Sequence, residues 1–246
     1  MSTPMPETPA ARCRRCGECC LRGGPTLMRE DAPLLAGEGA LPLEALVCLR
    51  AGEWARDDAR GVLRPLDREL LKLAATGESG HPWRCLYYRD GAGCCIYARR
   101  PVQCRVLLCA DTAPLEALLA NRQSLDRCAA LEVWAEALAG AGPGLPSAAR
   151  ACWPELAGAH DEACPAGKAL ALASALGFRP RLAPAPAPLA EEDREAARAE
   201  LAELVRYDAA FRELCATRGR VPARVLPFLL GRPLAALLWD VGLRVG

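Results

Sequence analysis

Four cysteines fall within eight residues near the start of this chain: Cys13, Cys16, Cys19 and Cys20, in the run Cys-Arg-Arg-Cys-Gly-Glu-Cys-Cys. No helix, strand or turn needs that density of thiols. Thiolates at two-residue spacing can converge on one ion or cluster from a tight loop relieved by glycine. The run therefore constrains the chain to be built around metal before any other pattern is considered.

The other cysteines are not scattered evenly. Ten of the fourteen precede residue 110, and only Cys128, Cys152, Cys164 and Cys215 follow. The first nine residues, Met-Ser-Thr-Pro-Met-Pro-Glu-Thr-Pro, carry neither a basic nor an apolar region, so 1–10 reads as a short disordered lead rather than a secretion signal. The most apolar stretch, Val225 to Val241, is interrupted by Pro227, Gly231, Arg232 and Pro233 and is too short for a membrane span. The expected location is cytoplasmic, where thiols are held reduced or metal-bound rather than paired as disulfides. A net charge of +1 gives no electrostatic argument for nucleic acid or an anionic membrane as partner.

Aromatic residues are scarce (5%), which favours helices and loops over a large sheet. The expected fold is α+β and predominantly α-helical. A cysteine-rich metal domain over 11–112, with short β-hairpins, packs against a helical region over 113–246. Within the first part, Arg29 to Gly37 and Leu43 to Leu49 read as short helices, and Glu69 to Leu73 as a strand. Arg84 to Tyr88 and Cys95 to Tyr97 are β-type runs parted by a turn at 89–93. After Cys109 the period becomes helical. Pro114 opens a helix near Asp111 or Thr112 that runs to Gly140, and Gly-Ala-Gly-Pro-Gly at 140–144 is a loop. Glu162 to Phe178 predicts a helix weakened by Pro165. A Pro/Ala-rich linker follows near 180–190, and Glu191 to Ala216 is a helix with Ala197, Leu201, Leu204, Val205 and Phe211 on one face.

A second set of thiols matches the first in number: Cys85, Cys94, Cys104 and Cys109. Four plus four would complete two four-thiolate sites, or one such site with a spare set of reactive thiols. Adjacent side chains diverge in extended or turn backbone, so Cys19 and Cys20 are expected to face different centres.

The run Cys13, Cys16, Gly17, Cys19, Cys20, then Cys85, then Gly93, Cys94, Ile96, Tyr97, Arg100, Pro101, Cys104, Arg105 and Cys109 resembles the YkgJ-type cysteine-cluster family, also described as a zinc- or iron-chelating domain. The resemblance spans about residues 13–110. It implies metal binding by Cys13, Cys16, Cys19, Cys20, Cys85, Cys94, Cys104 and Cys109, and names no reaction. One related branch is described as flagellin lysine N-methylase with an iron–sulfur centre, but the chain shows no methyl-donor motif. Catalytic residues stay unassigned, and whether the chain is an enzyme stays open.

All-thiolate ligation suits both zinc and iron–sulfur clusters. The Cys-x-x-Cys-x-x-Cys run from one loop favours an iron–sulfur cluster of the 4Fe–4S type, with zinc as the alternative. The corresponding roles are a redox or catalytic protein with an electron-transfer partner, a zinc-stabilised interaction module, or a metal-handling protein. Arg100, Arg105 and Tyr97 lie beside ligands, where they can offset thiolate charge or shape the hairpin between ligands. Tyr87, Tyr88 and Trp83 are expected to shield the centre. Cys48, Cys128, Cys152, Cys164 and Cys215 read as buried small hydrophobes. Among these, Cys164 stands one helical turn from His160 and could pair with it.

Overall fold

The computed structural model describes residues 13–57, 62–109, 111–121, 123–139, 152–181, 183, 187 and 189–245. The expected lead over 1–10, the loop at 140–144, Arg12, and positions 182, 184–186 and 188 of the Pro/Ala spacer lie outside these residues. The fold is α+β and mostly helical, with short antiparallel strand pairs.

The cysteine-rich part opens with a one-turn helix α1 (Glu18–Arg22) and a 3-10 helix over Arg29–Leu35 containing Pro33. Strand β1 (Leu46–Leu49) pairs antiparallel with β4 (Leu70–Leu73), in the register Leu46 to Leu73 and Cys48 to Leu71. Between them β2 (Trp54–Asp57) and β3 (Val62–Pro65) form a second pair. The helix expected over 43–49 is instead a 3-10 turn at Leu43–Ala45 that runs into β1. Leu46 and Cys48 alternate into the core while Val47 and Leu49 stay half-exposed, so pairing with β4 decides a stretch whose local pattern also suits a helix. The strand expected at Glu69–Leu73 is β4. The hairpin expected around 84–97 is present as β5 (Tyr88–Arg89) and β6 (Gly93–Cys94), with only two residues per strand. Tyr97–Arg99 then leaves the ladder as a 3-10 turn and leads into α2 (Val102–Val106).

Helix α3 (Ala113–Ala120) starts where Pro114 places it, and the Ala113 N–H donates to Asp111 Oδ1 at 3.0 Å. The helical pattern does not continue unbroken to 140. It stops after α3, and α4 (Arg127–Ala139) begins anew. The break has a tertiary cause: the Leu125 N–H donates to Leu27 O at 2.9 Å and the Arg29 N–H to Gln123 O at 2.8 Å, which holds the segment extended against residues 27–29. The helix expected over 162–178 is likewise two, α5 (Trp153–Ala163) and α6 (Ala166–Ala175). Pro165 lacks an N–H and pushes Cys164 out of helical geometry (φ −136, ψ 61). Helix α7 (Glu191–Thr217) follows, then α8 (Leu226–Leu230) and α9 (Leu234–Asp240). Among the described residues, no helix is long and apolar enough to cross a membrane.

Two clusters of buried side chains hold these elements. One joins Leu27, Leu46 and Leu71 of the cysteine-rich part to Trp153 and to Phe228, Leu229 and Leu230 of α8. The other packs α6, α7 and α9 through Leu170, Ala173, Leu201, Leu234 and Leu238. Helix α8 therefore closes the core beneath the strands that carry the cysteine loops.

Candidate metal centre

Both thiol-bearing segments are fixed to the same strand. The Leu27 N–H donates to Leu71 O (2.8 Å) and the Leu73 N–H to Pro25 O (3.0 Å), so the chain after the first cysteine run lies along β4. On leaving β4, the chain meets the second run: the Leu86 N–H donates to Ala74 O (2.9 Å), and the Cys85 N–H donates to Cys20 O (2.7 Å), which joins the two runs directly. Gly17 has φ +86, and a Cβ there would lie 2.2 Å from the Tyr88 hydroxyl oxygen. Only glycine allows the loop to turn against that buried ring.

The sequence signals missed the residues that place Cys104. Asp31 is buried; its Oδ2 accepts the Met28 N–H (2.9 Å) and its Oδ1 the Val102 N–H (2.8 Å). It therefore ties the first turn of α2 to the 28–31 turn. Gln103 adds a second tie by accepting the Thr26 N–H. The cue in the sequence was the Met28-x-x-Asp31 spacing of a capping box, here with an acid that also reaches a distant helix. Burial pushes the Asp31 carboxyl up, against the lowering effect of these two bonds.

Five of the eight expected ligand residues, Cys19, Cys20, Cys85, Cys94 and Cys104, lie near enough to shift one another's thiols. Burial raises the thiols of Cys85, Cys94 and Cys104, the last to about 12, and each is pushed further up by its neighbours. Cys85 feels Cys94 and Cys19, Cys94 feels Cys19, and Cys104 feels Cys85, Cys19 and Cys94. Each thiol of the quartet Cys19, Cys85, Cys94 and Cys104 thus feels the other three. Cys20 joins through Cys19, Cys85 and Cys104. Its Sγ lies 3.9 Å from that of Cys19. Hydrogen bonding from Cys20 lowers the Cys19 thiol to about 6, while the same bond and burial raise Cys20. The vicinal side chains do not diverge as expected, because residues 18–22 are helical and both thiols turn toward the second run. Cys13 is half-buried, with its sulfur accepting the Arg15 N–H at 3.4 Å, and Cys16 and Cys109 are exposed.

Tyr97 lies between two guanidinium groups, Arg15 at 3.8 Å and Arg100 at 4.0 Å from the ring centroid. This stack joins the two cysteine runs a second time. Arg100 also donates to the Tyr97 and Cys104 carbonyls (2.9 and 3.3 Å) and lowers the Cys94 and Cys104 thiols. Arg105 turns away to the Arg100 carbonyl (3.0 Å). Tyr88 is buried and Tyr87 half-buried, but Trp83 is 49% exposed and stacks with Arg232, so it does not cover the thiols as expected.

Of the cysteines read as small hydrophobes, Cys48, Cys164 and Cys215 are buried and Cys152 is half-buried. Cys128 is exposed, since the first turn of α4 turns it outward. His160 and Cys164 do meet, together with Asp208 of α7, with ligand atoms within 4.8 Å of one another and all three residues buried. These groups are already bonded. His160 Nε2 lies 2.7 Å from Asp208 Oδ1, Arg212 donates to the same oxygen (3.0 Å), and the Leu234 N–H donates to Oδ2 (2.9 Å). The Cys164 thiol donates to Leu204 O (3.3 Å), and Arg50 Nη1 stands 3.5 Å from His160 Nδ1. Two guanidinium groups against the trio oppose a cation, so this constellation is a buried polar network.

The quartet differs in that its thiols act chiefly on one another, with Arg100 beside Cys94 and Cys104. Thiols drawn from separate segments, with cationic and aromatic groups beside them, are a constellation that suits metal binding. Residues 12–128 match the family described as "CxxCxxCC: Putative zinc- or iron-chelating domain". That span is just under half of the chain and holds both cysteine runs, in agreement with the resemblance those runs carry. No curated protein and no solved structure matches the chain.

Proposed function

We propose that the quartet Cys19, Cys85, Cys94 and Cys104 holds an iron–sulfur cluster, and that the protein uses it in electron transfer. The direct joining of the two cysteine runs carries the reading: the Cys85 N–H donates to Cys20 O (2.7 Å), and the Cys19 and Cys20 sulfurs lie 3.9 Å apart. Their spacing favours a cluster over a single ion. Zinc–thiolate bonds of about 2.3 Å set all four sulfurs about 3.8 Å apart. Cys19 and Cys20 match one such edge, at 3.9 Å. Among the described residues, however, no three of these thiols lie within 4.8 Å of one another. A cluster binds its thiolates on separate irons and spreads them wider. Bound there, it would supply one-electron redox chemistry. The chain's own groups supply the rest: Arg100 offsets thiolate charge, Tyr88 keeps water from the inner side, and Cys20 places a hydrogen bond on the Cys19 sulfur. Cys13, Cys16 and Cys109 are the donors left for a second centre, which Cys20 joins only by giving up the proton it shares with Cys19.

The test is anaerobic purification followed by iron, sulfide and zinc analysis with an absorption spectrum. Iron and sulfide with a broad visible band are expected. A colourless protein holding one zinc per chain and no sulfide would show a zinc-stabilised module instead. About four irons and four sulfides per chain with the spectrum of a 4Fe–4S cluster set one centre; about eight of each set two.

A further inference from the structure

We infer that the face around the thiol quartet is a docking surface for a small acidic redox protein. The charge distribution carries this inference. Residues 13–22 and 84–109 contain eight arginines and no lysine, against two carboxylates, Glu18 and Asp90, in a chain whose net charge is only +1. The acidic counterpart lies elsewhere: 191–217 holds eight carboxylates and four arginines.

Few of the eight arginines are neutralised by the protein. Arg84 pairs with Glu78 (2.9 Å) and Asp90 (2.8 Å). Arg15 and Arg100 stack on Tyr97. Arg89, Arg99 and Arg105 donate to backbone carbonyls, which orients each guanidinium but leaves its charge uncompensated. Arg14 and Arg22 are exposed and, among the described residues, have no side-chain partner. Four thiolates on a divalent ion or a 2+ cluster leave about two negative charges. Arg15 and Arg100 match that excess, so the remaining arginines give the face a net positive field.

Nucleic acid fits this face less well. The arginines belong to the same two segments as the thiols, which are anionic when they ligate, and a phosphate backbone laid along these segments would pass over those sulfurs. A carboxylate-rimmed protein surface can meet the arginines and bring its own redox group toward the thiols. Transient electron-transfer contacts are small and steered by opposite charge, as this arrangement requires. One electron passes from the reduced partner, which is oxidised, to the centre, which is reduced, and no atoms move. This redox clause rests on the cluster reading; the docking surface does not.

The full-length protein is tested by surface-immobilised binding kinetics against a plant-type [2Fe–2S] ferredoxin as the acidic probe, basic cytochrome c as the opposite probe, and a single-stranded DNA oligonucleotide. The ferredoxin association rate should fall at least about tenfold as salt rises from about 0.01 to about 1 M. The double variant Arg14→Glu/Arg22→Glu should lower it about tenfold at low salt, whereas Glu192→Arg/Glu195→Arg on α7 should leave it unchanged. Circular dichroism and metal content confirm that both variants are folded. The surface is overturned by absent or salt-insensitive ferredoxin binding, by equal binding of cytochrome c, by an unaffected Arg14→Glu/Arg22→Glu variant, or by DNA occupying the face in place of ferredoxin. Iron and sulfide measured on the same samples separate the two readings. Ferredoxin binding to a zinc-containing protein keeps the surface and removes the cluster. Iron and sulfide without binding do the reverse.

Discussion

Two constellations in this molecule bring cysteine together with charged or titratable groups, and they have opposite bonding. In the first, Cys19, Cys85, Cys94 and Cys104 face chiefly one another, and burial and mutual repulsion hold three of the thiols above their usual range. In the second, His160, Cys164 and Asp208 are also close, but each polar atom of Asp208 is already bonded to His160, Arg212 or the Leu234 N–H. Around this trio, buried arginines take up the carbonyls at the end of α8: Arg127 reaches Leu229 O (2.6 Å), Arg212 reaches Leu230 O and Gly231 O (3.0 and 3.1 Å), and Arg50 reaches Arg232 O (3.2 Å). These are the acceptors that a helix C-terminus leaves open, and cations suit that end of the dipole. Donor identity alone would rank both sets as metal sites. What separates them is the bonding: the first set acts chiefly on itself, and the second is already bonded to its own cations.

The sharpest test of this contrast removes one thiol of the quartet. Cys104→Ser should weaken metal retention by more than about a hundredfold, since loss of a mere supporting partner already costs about ten- to a hundredfold; metal analysis after dialysis reads it, and full retention would take Cys104 out of the set. Asp208→Ala should behave in the opposite way. It strands Arg212 and His160 in the core and should cost about 3–5 kcal/mol in urea unfolding, with metal content unchanged. Loss of metal with intact stability would make the second constellation a metal site after all.

Acid provides a graded version of the same test. Bonding to His160 and Arg212 outweighs burial and holds the Asp208 carboxyl at about 2, below its usual 3.8. A depressed carboxyl contributes stability that is fully present above pH of about 4 and is lost as pH falls toward about 2. About 2 kcal/mol should disappear over that window in wild type and not in Asp208→Asn, by thermal or urea unfolding. Burial holds Glu53 and Asp31 in the opposite direction, so the comparison with the variant isolates the Asp208 share.

Gly17→Ala tests the loop geometry. A methyl group there meets the Tyr88 ring in a left-handed backbone, so a loss of about 1–3 kcal/mol is expected together with weaker metal binding. A neutral result would show that the loop and Tyr88 move independently. Cys128→Ser should change neither stability nor metal content by a measurable amount, within about 0.5 kcal/mol, because that thiol is exposed.

The metal chemistry was legible because ligand density is a local property: Cys13-x-x-Cys16-x-x-Cys19-Cys20 and the later run through Cys104 stand out without any fold. The mostly helical α+β class, strand β4 and the long helix α7 were legible for the same reason, since period and capping act over a few residues. The breaks after α3 and at β1 were not. There, hydrogen bonds to residues distant in the sequence, such as Leu125 to Leu27, override the helical pattern. Asp31 was hidden because its second bond, to the Val102 N–H, crosses from one segment to another.

By itself, then, the sequence determined the metal-chelating class, because a density of thiols that no helix, strand or turn requires is a local property of residue order. Only the tertiary structure decided which thiols meet. The helical turn at 18–22 sets Cys19 and Cys20 side by side, β4 brings Cys85 to them, and Asp31 delivers Cys104. Convergence depends on where hydrogen bonds and buried side chains fix each loop in space, and residue order does not record that.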